Sequence, residues 1–231
     1  MSIRAAMGMT RAVAGSMKKR LFGGGDGPKE KPPFGLVPGM PITVEETPFI
    51  LHESQGGQLQ WPGQDLVISA MGRFDLEGVQ LYRFYLDQGK GFLEVAVAPN
   101  GEPFDGGTRF FQSHDEINPS SAQEWEFWLS EEDGSIGLSK FKSVKGSFLY
   151  NRVWGRGDEQ VAPLSMEEQH FFPEEVEAEA AVSHQAMLYA RLLEGEGNVE
   201  YALLSAVETA DEAWVEISMG LDLEPTYFKG G

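Results

Sequence analysis

VQLYRFYLDQGKGFLEVAVA, residues 79–98, reads as a β-hairpin. Side chains alternate along a strand, so Val79, Leu81, Arg83 and Tyr85 share one face of the first arm. Gln80, Tyr82, Phe84 and Leu86 share the other. Asp87-Gln88-Gly89-Lys90-Gly91 supplies the turn, and 92–98 resumes as the second arm with Glu94 inside an apolar run.

Strand signals recur on either side of this hairpin, with turn residues between them. Residues 42–45 and 49–52 read as short strands separated by Thr47-Pro48. In 65–74, Leu66, Ile68 and Ala70 alternate with Val67, Ser69 and Met71; 109–113 and 147–154 are further strand candidates. The last sixty residues read as a meander of 185–193, 200–207 and 213–221. Its first member is ambiguous, because Val182, Ala186, Tyr189 and Leu193 also form a helical stripe. Strand is assigned to 185–193 and helix to about 174–182. A helix is expected from Ser121, where Ser-x-x-Glu has capping-box spacing and Ala122, Trp125, Trp128 and Leu129 follow on one face. An acid-rich connector holds Glu167, Glu168, Glu174, Glu175, Glu177 and Glu179.

These elements predict an α+β fold dominated by antiparallel β-sheet, with one or two helices. The expected domain spans 34–225, divisible into β-rich halves 34–134 and 146–225, with a basic tail and linker over 1–33 and a C-terminal tail over 226–231. The chain has 231 residues and is 41% hydrophobic, enough for a substantial core. It has no cysteine, which excludes disulfides, thiolate metal sites and cysteine nucleophiles and fits a cytoplasmic protein.

Charge divides the chain. Residues 1–31 hold seven basic side chains against Asp26 and Glu30, whereas the remaining 200 residues carry a net charge of −23. Such an acidic body repels nucleic acid and anionic lipid. The tail is the expected contact with a membrane, through Lys18, Lys19, Arg20, Leu21 and Phe22. Upstream, Ile3, Met7, Ala14 and Met17 fall on one side of a helix beside Arg4, Arg11 and Lys18, as in a weak interfacial helix or a transit peptide. Equally, Met17 opens an ordinary start, leaving 1–16 as an added stretch. Gly23-Gly24-Gly25-Asp26-Gly27-Pro28 then reads as a flexible linker.

LYRFYLDQGKGFLEVAV (81–97), WEFWL (125–129), YNRVW (150–154) and QAMLYARLLEGEGNVEYALLSAVE with EISMGLDLEP (185–225) resemble the YjfK-like family of uncharacterised bacterial proteins. MKKRLFG at residue 17 is similar to the short basic start of that family. The resemblance implies a domain of unknown function that brings no catalytic residues. It also implies genomic company with a phage-shock-protein-A-like membrane-stress protein, hence a protein partner and an envelope-stress setting at the inner membrane.

No motif performs chemistry: there is no nucleophile elbow, P-loop, dinucleotide fingerprint, zincin helix or EF-hand. No cofactor, metal ligand set or catalytic residue is therefore assigned, and the balance points away from an enzyme. His114-Asp115-Glu116 and the glutamates of 167–179 read more simply as solvated charge than as cation sites. The remaining candidates are basic. Arg83 with Tyr85, and Arg152 with Trp154, place arginines among aromatics inside strands, where they could receive an anionic or peptide ligand. The competing reading is a cross-strand ion pair or cation–π contact that supports the sheet. The two function classes in play are a non-enzymatic interaction protein and, as the alternative, a small-ligand-binding protein or hydrolase built around Arg83, Arg152 and carboxylates.

Overall fold

The computed structural model describes residues 31–76, 78–143, 148–173, 181–195 and 197–231. The strands are β1 (Pro41–Val44), β2 (Leu66–Leu76), β3 (Val79–Leu86), β4 (Phe92–Val97), β5 (Pro103–Ile117) and β6 (Lys140–Lys142). They continue with β7 (Leu149–Arg152), β8 (Leu164–Phe171), β9 (Ala181–Leu192), β10 (Val199–Glu208), β11 (Ala213–Asp222) and β12 (Phe228–Gly230). Among the described residues there are two α-helices, α1 (Thr47–Ser54) and α2 (Ala122–Leu129).

Strands β2, β3, β4, β5, β11, β10 and β9 are neighbours in that order. Strand β8 pairs with β9 on one side and with β2 on the other, both antiparallel, so the sheet closes into an eight-strand barrel. The expected α+β fold is thereby corrected: the protein is mostly β, and its two eight-residue helices clad the barrel instead of forming a layer. Strand periodicity was visible in the sequence, but closure was not. Strands from 34–134 and from 146–225 share the one ring, meeting at β5–β11 and at β2–β8.

Eight strands leave a lumen just wide enough for side chains to fill. Every strand of the ring contributes to it. Phe74, Leu81, Phe92, Phe111, Met166, Ala186, Leu188 and Leu203 pack into one inner cluster, and β11 adds Glu216 and Ser218. The alternate residues point outward. Tyr82, Phe84, Val95, Phe110, Leu204 and Ile217 join a larger outer cluster completed by Phe49 of α1 and by Trp125 and Leu129 of α2.

Several local expectations change. Residues 49–52, read as a strand, lie in α1, where a proline in the first turn presets the backbone and buries Phe49 and His52 at i, i+3 spacing. At α2 the Ser121 hydroxyl accepts the Glu124 N–H at 3.3 Å, as the capping spacing predicts. Glu167 and Glu168, assigned to a connector, belong to β8. Strand β9 confirms the strand reading of 185–193 and takes Ala181 and Val182 from the expected helix; 174–180 lie outside the described residues. The last residues, read as a tail, carry β12, which pairs with β1. The membrane-contact residues Lys18, Lys19, Arg20, Leu21 and Phe22, and the helix reading upstream of them, also lie outside the described residues.

Candidate functional site

Three polar constellations could carry function: one inside the barrel, one beneath α1 and one along α2. The first is centred on Arg83. Strand register sets Arg83 opposite Glu94, and Arg83 Nε donates to Glu94 Oε2 at 3.0 Å with both residues buried. The guanidinium lies 4.6 Å from the ring of Phe74 and 4.9 Å from that of Phe92. Burial works against its charge, but Glu94, Tyr85 and Glu168 outweigh burial and raise its pKa, so it stays a cation. This matches the sheet-supporting reading of Arg83.

Glu168 projects into the same space and is 1% exposed. Its Oε1 accepts the Tyr85 hydroxyl at 2.7 Å, and its Oε2 lies 2.8 Å from His184 Nε2 and 3.0 Å from His170 Nε2. Burial pushes the carboxyl up, yet His170, His184 and the charge of Arg83 hold it well below the usual carboxylate range. Burial and Glu168 together raise the Tyr85 phenol, which remains a donor. His184 Nδ1 in turn sits 3.0 Å from Ser205 Oγ. A carboxylate between imidazoles and a phenol could relay a proton. The neighbouring cavity, lined by Arg83, Tyr85, His184, Ser205, Glu216 and Ser218 among others, measures about 20 Å³, room for one water and not for a substrate. The cluster therefore ties β3, β8, β9 and β10 together across the lumen. Among the described residues no group of three or more His, Asp or Glu is arranged to hold a metal ion.

Glu200, fully buried on the outer face of β10, anchors the second constellation. It accepts from Tyr150 at 2.6 Å, the Gln58 N–H at 2.5 Å and Arg191 Nε at 2.8 Å, and its Oε2 lies 2.9 Å from His52 Nε2. Burial raises this carboxyl, but those partners outweigh it and bring it down to about 2. The carboxylate has no open approach, so it pins α1 and the following turn to the barrel.

Arg152 does not meet Arg83. Its guanidinium donates to the carbonyls of Gly137, Arg156, Gly157 and Glu159, clamping the loop after β7. Trp154 packs half-buried against the cores. Of the four sequence-predicted ligand residues, only Arg83 and Tyr85 come together, and they do so inside a filled lumen.

The third constellation is an open groove of about 640 Å³ between α2 and the stretch before β8. Phe127, Leu129, Ala162 and Pro163 give it apolar surface, while Glu126, Glu131 and Asp133 line it with charge; no basic residue lines it. Phe127 is 62% exposed and lies edge-on to Trp128. Gln160 Nε2 donates to the Ser130 and Gly134 carbonyls, holding the two walls together. Its volume is that of a small-ligand or peptide-segment site.

The match to known families decides the classification. A family described as Protein of unknown function (DUF2491) matches residues 17–229. The chain belongs to this family. The DUF2491 match takes in the whole barrel and both helices, and it reaches back to Met17 in the basic tail. No curated protein matches the chain, and no solved structure matches it.

Sequence reasoning missed Glu168, His170 and His184 as a group, because Glu168 reads as one of a run of acids and His184 stands 16 residues away along the chain. The available signal was alternation: Met166, Glu168 and His170 stand at period two in one strand. It missed the groove because α2 and 160–163 are brought together only by the barrel.

Proposed function

We propose that this DUF2491 protein is a non-enzymatic accessory protein that holds a partner through the groove beside α2. The observation that carries the reading is the contrast between the two hollows. The polar centre with catalytic-looking groups has space for one water, whereas the groove is open and exposes Phe127. Exposed aromatics set among polar residues are typical binding anchors.

The finer reading is an envelope-stress role of the phage-shock type. It is supported by the likeness to YjfK-like proteins and by the basic segment 18–22, which suits the cytoplasmic face of an anionic inner membrane. No helix among the described residues is long and apolar enough to cross a membrane, so a membrane contact of the peripheral kind is the form proposed.

The test is titration of the full chain with a purified phage-shock-protein-A-like protein of its own host, beside the Phe127→Asp variant. Binding by the natural chain that weakens about thirtyfold in the variant supports the reading, as loss of an aromatic hot spot costs about 2 kcal/mol. Absence of binding, or binding indifferent to the variant, overturns it.

A further inference from the structure

We propose that the groove beside α2 is occupied by this chain's own tail, residues 18–22. This rests on the groove being a binding surface, and it names the segment that fills it in the unpartnered protein.

The chemistry of the two surfaces is complementary. Lys18-Lys19-Arg20 presents three consecutive cations, and Leu21-Phe22 follows with two apolar side chains. The groove offers Glu126, Glu131 and Asp133 to the cations, and Phe127, Leu129, Ala162 and Pro163 to the apolar pair. Around it, residues 123–133 contain five acids and no base. Opposite charge steers such a segment in, and an aromatic floor retains it.

Between Phe22 and Lys31 the chain can extend about 30 Å, at roughly 3.4 Å per residue. A Gly- and Pro-containing linker raises the effective concentration of the segment at a surface within its reach, so a weak intrinsic affinity suffices for occupancy. The family match begins at Met17, so the segment belongs to the span that defines the family. Occupying the groove and touching an anionic leaflet use the same three cations and exclude each other.

The absence of cysteine makes the test direct. A nitroxide is attached to a single Ser16→Cys position in the otherwise natural full chain, and amide signals are followed by NMR. Signals of residues 123–133 and 160–162 should fall to less than half, while those of the opposite barrel wall persist. Reversing the tail charges (Lys18→Glu, Lys19→Glu, Arg20→Glu) or the groove charges (Glu126→Lys, Glu131→Lys, Asp133→Lys) should each restore them. These groove acids are exposed, so the reversals leave the core intact. No broadening, broadening that survives both reversals, or broadening seen only when labelled and unlabelled chains are mixed overturns the proposal. If broadening is absent while Phe127→Asp still abolishes partner binding, the groove remains a partner site and only the tail's occupancy fails.

Discussion

Gly72 on β2 stands where the Glu168 carboxylate crosses the lumen, and a Cβ at residue 72 would overlap that carboxylate. Gly72 pairs with Arg83 on one side and with His170 on the other, so a residue without a side chain makes room for a buried carboxylate with three partners. Gly72→Ala is expected to displace Glu168 from Tyr85 and His184 and to destabilise the fold by about 1–3 kcal/mol, as overpacked cores do. Urea unfolding followed by tryptophan fluorescence measures it; an unchanged midpoint would count against this close packing of residue 72 on Glu168.

Arg83 is the sole cation in contact with Glu94 inside the barrel among the described residues. Arg83→Met should cost about 3–5 kcal/mol, because it leaves the buried Glu94 without its partner. Pairing it with Glu94→Leu should recover much of that loss, since replacing a whole buried pair by apolar groups is often near neutral. A double-mutant cycle in urea gives the coupling; strictly additive losses would show that the pair does not act as a unit.

Acid should weaken the protein through two carboxylates. Glu168 and Glu200 both have folded pKa values below their ordinary 4.5, Glu200 at about 2 and Glu168 lower still. A depressed carboxyl pKa contributes stability that is complete above the unfolded value and is lost as pH falls towards the folded one. The unfolding midpoint should hold from neutrality to about pH 5 and drop between about 4.5 and 2. Glu200→Gln should be less stable at neutral pH but show a shallower acid decline. An acid slope identical to that of the natural chain would remove Glu200 from the account.

Arg152 holds a loop through its guanidinium. Arg152→Ala should leave the barrel folded while speeding amide exchange around 155–160, whose carbonyls lose three charge-assisted hydrogen bonds, with a fourth lost at Gly137. The expected global loss is about 1–3 kcal/mol. Exchange that accelerates equally throughout the barrel would mean that Arg152 belongs to the core.

The basic segment 18–22 should give weak, salt-sensitive binding to anionic vesicles. Three cations near a charged leaflet contribute about 1 kcal/mol each, and Leu21 and Phe22 add a little insertion. Flotation of chains beginning at residues 1, 17 and 33, at low and high salt, reads this directly. Equal flotation of all three would place the contact elsewhere.

Period-two alternation was legible residue by residue, because it depends only on backbone geometry. It supplied the 79–98 hairpin, the terminal meander and the position of β2, and the Ser121 cap marked α2. The charge of the tail and the lack of a catalytic motif were equally local facts. Alternation separates two faces but does not say which is inside, since both faces of β3 are largely apolar. That was decided by closure of β8 onto β2, which joins groups as distant as Tyr85 and Glu168, 83 residues apart along the chain. Closure turned Glu168 from one of a run of acids into a buried bridge, set Arg83 apart from Arg152, and assembled the groove from α2 and 160–163. Local sequence carries the energetics of neighbours along the chain; the burial of a charge depends on what the rest of the chain places around it.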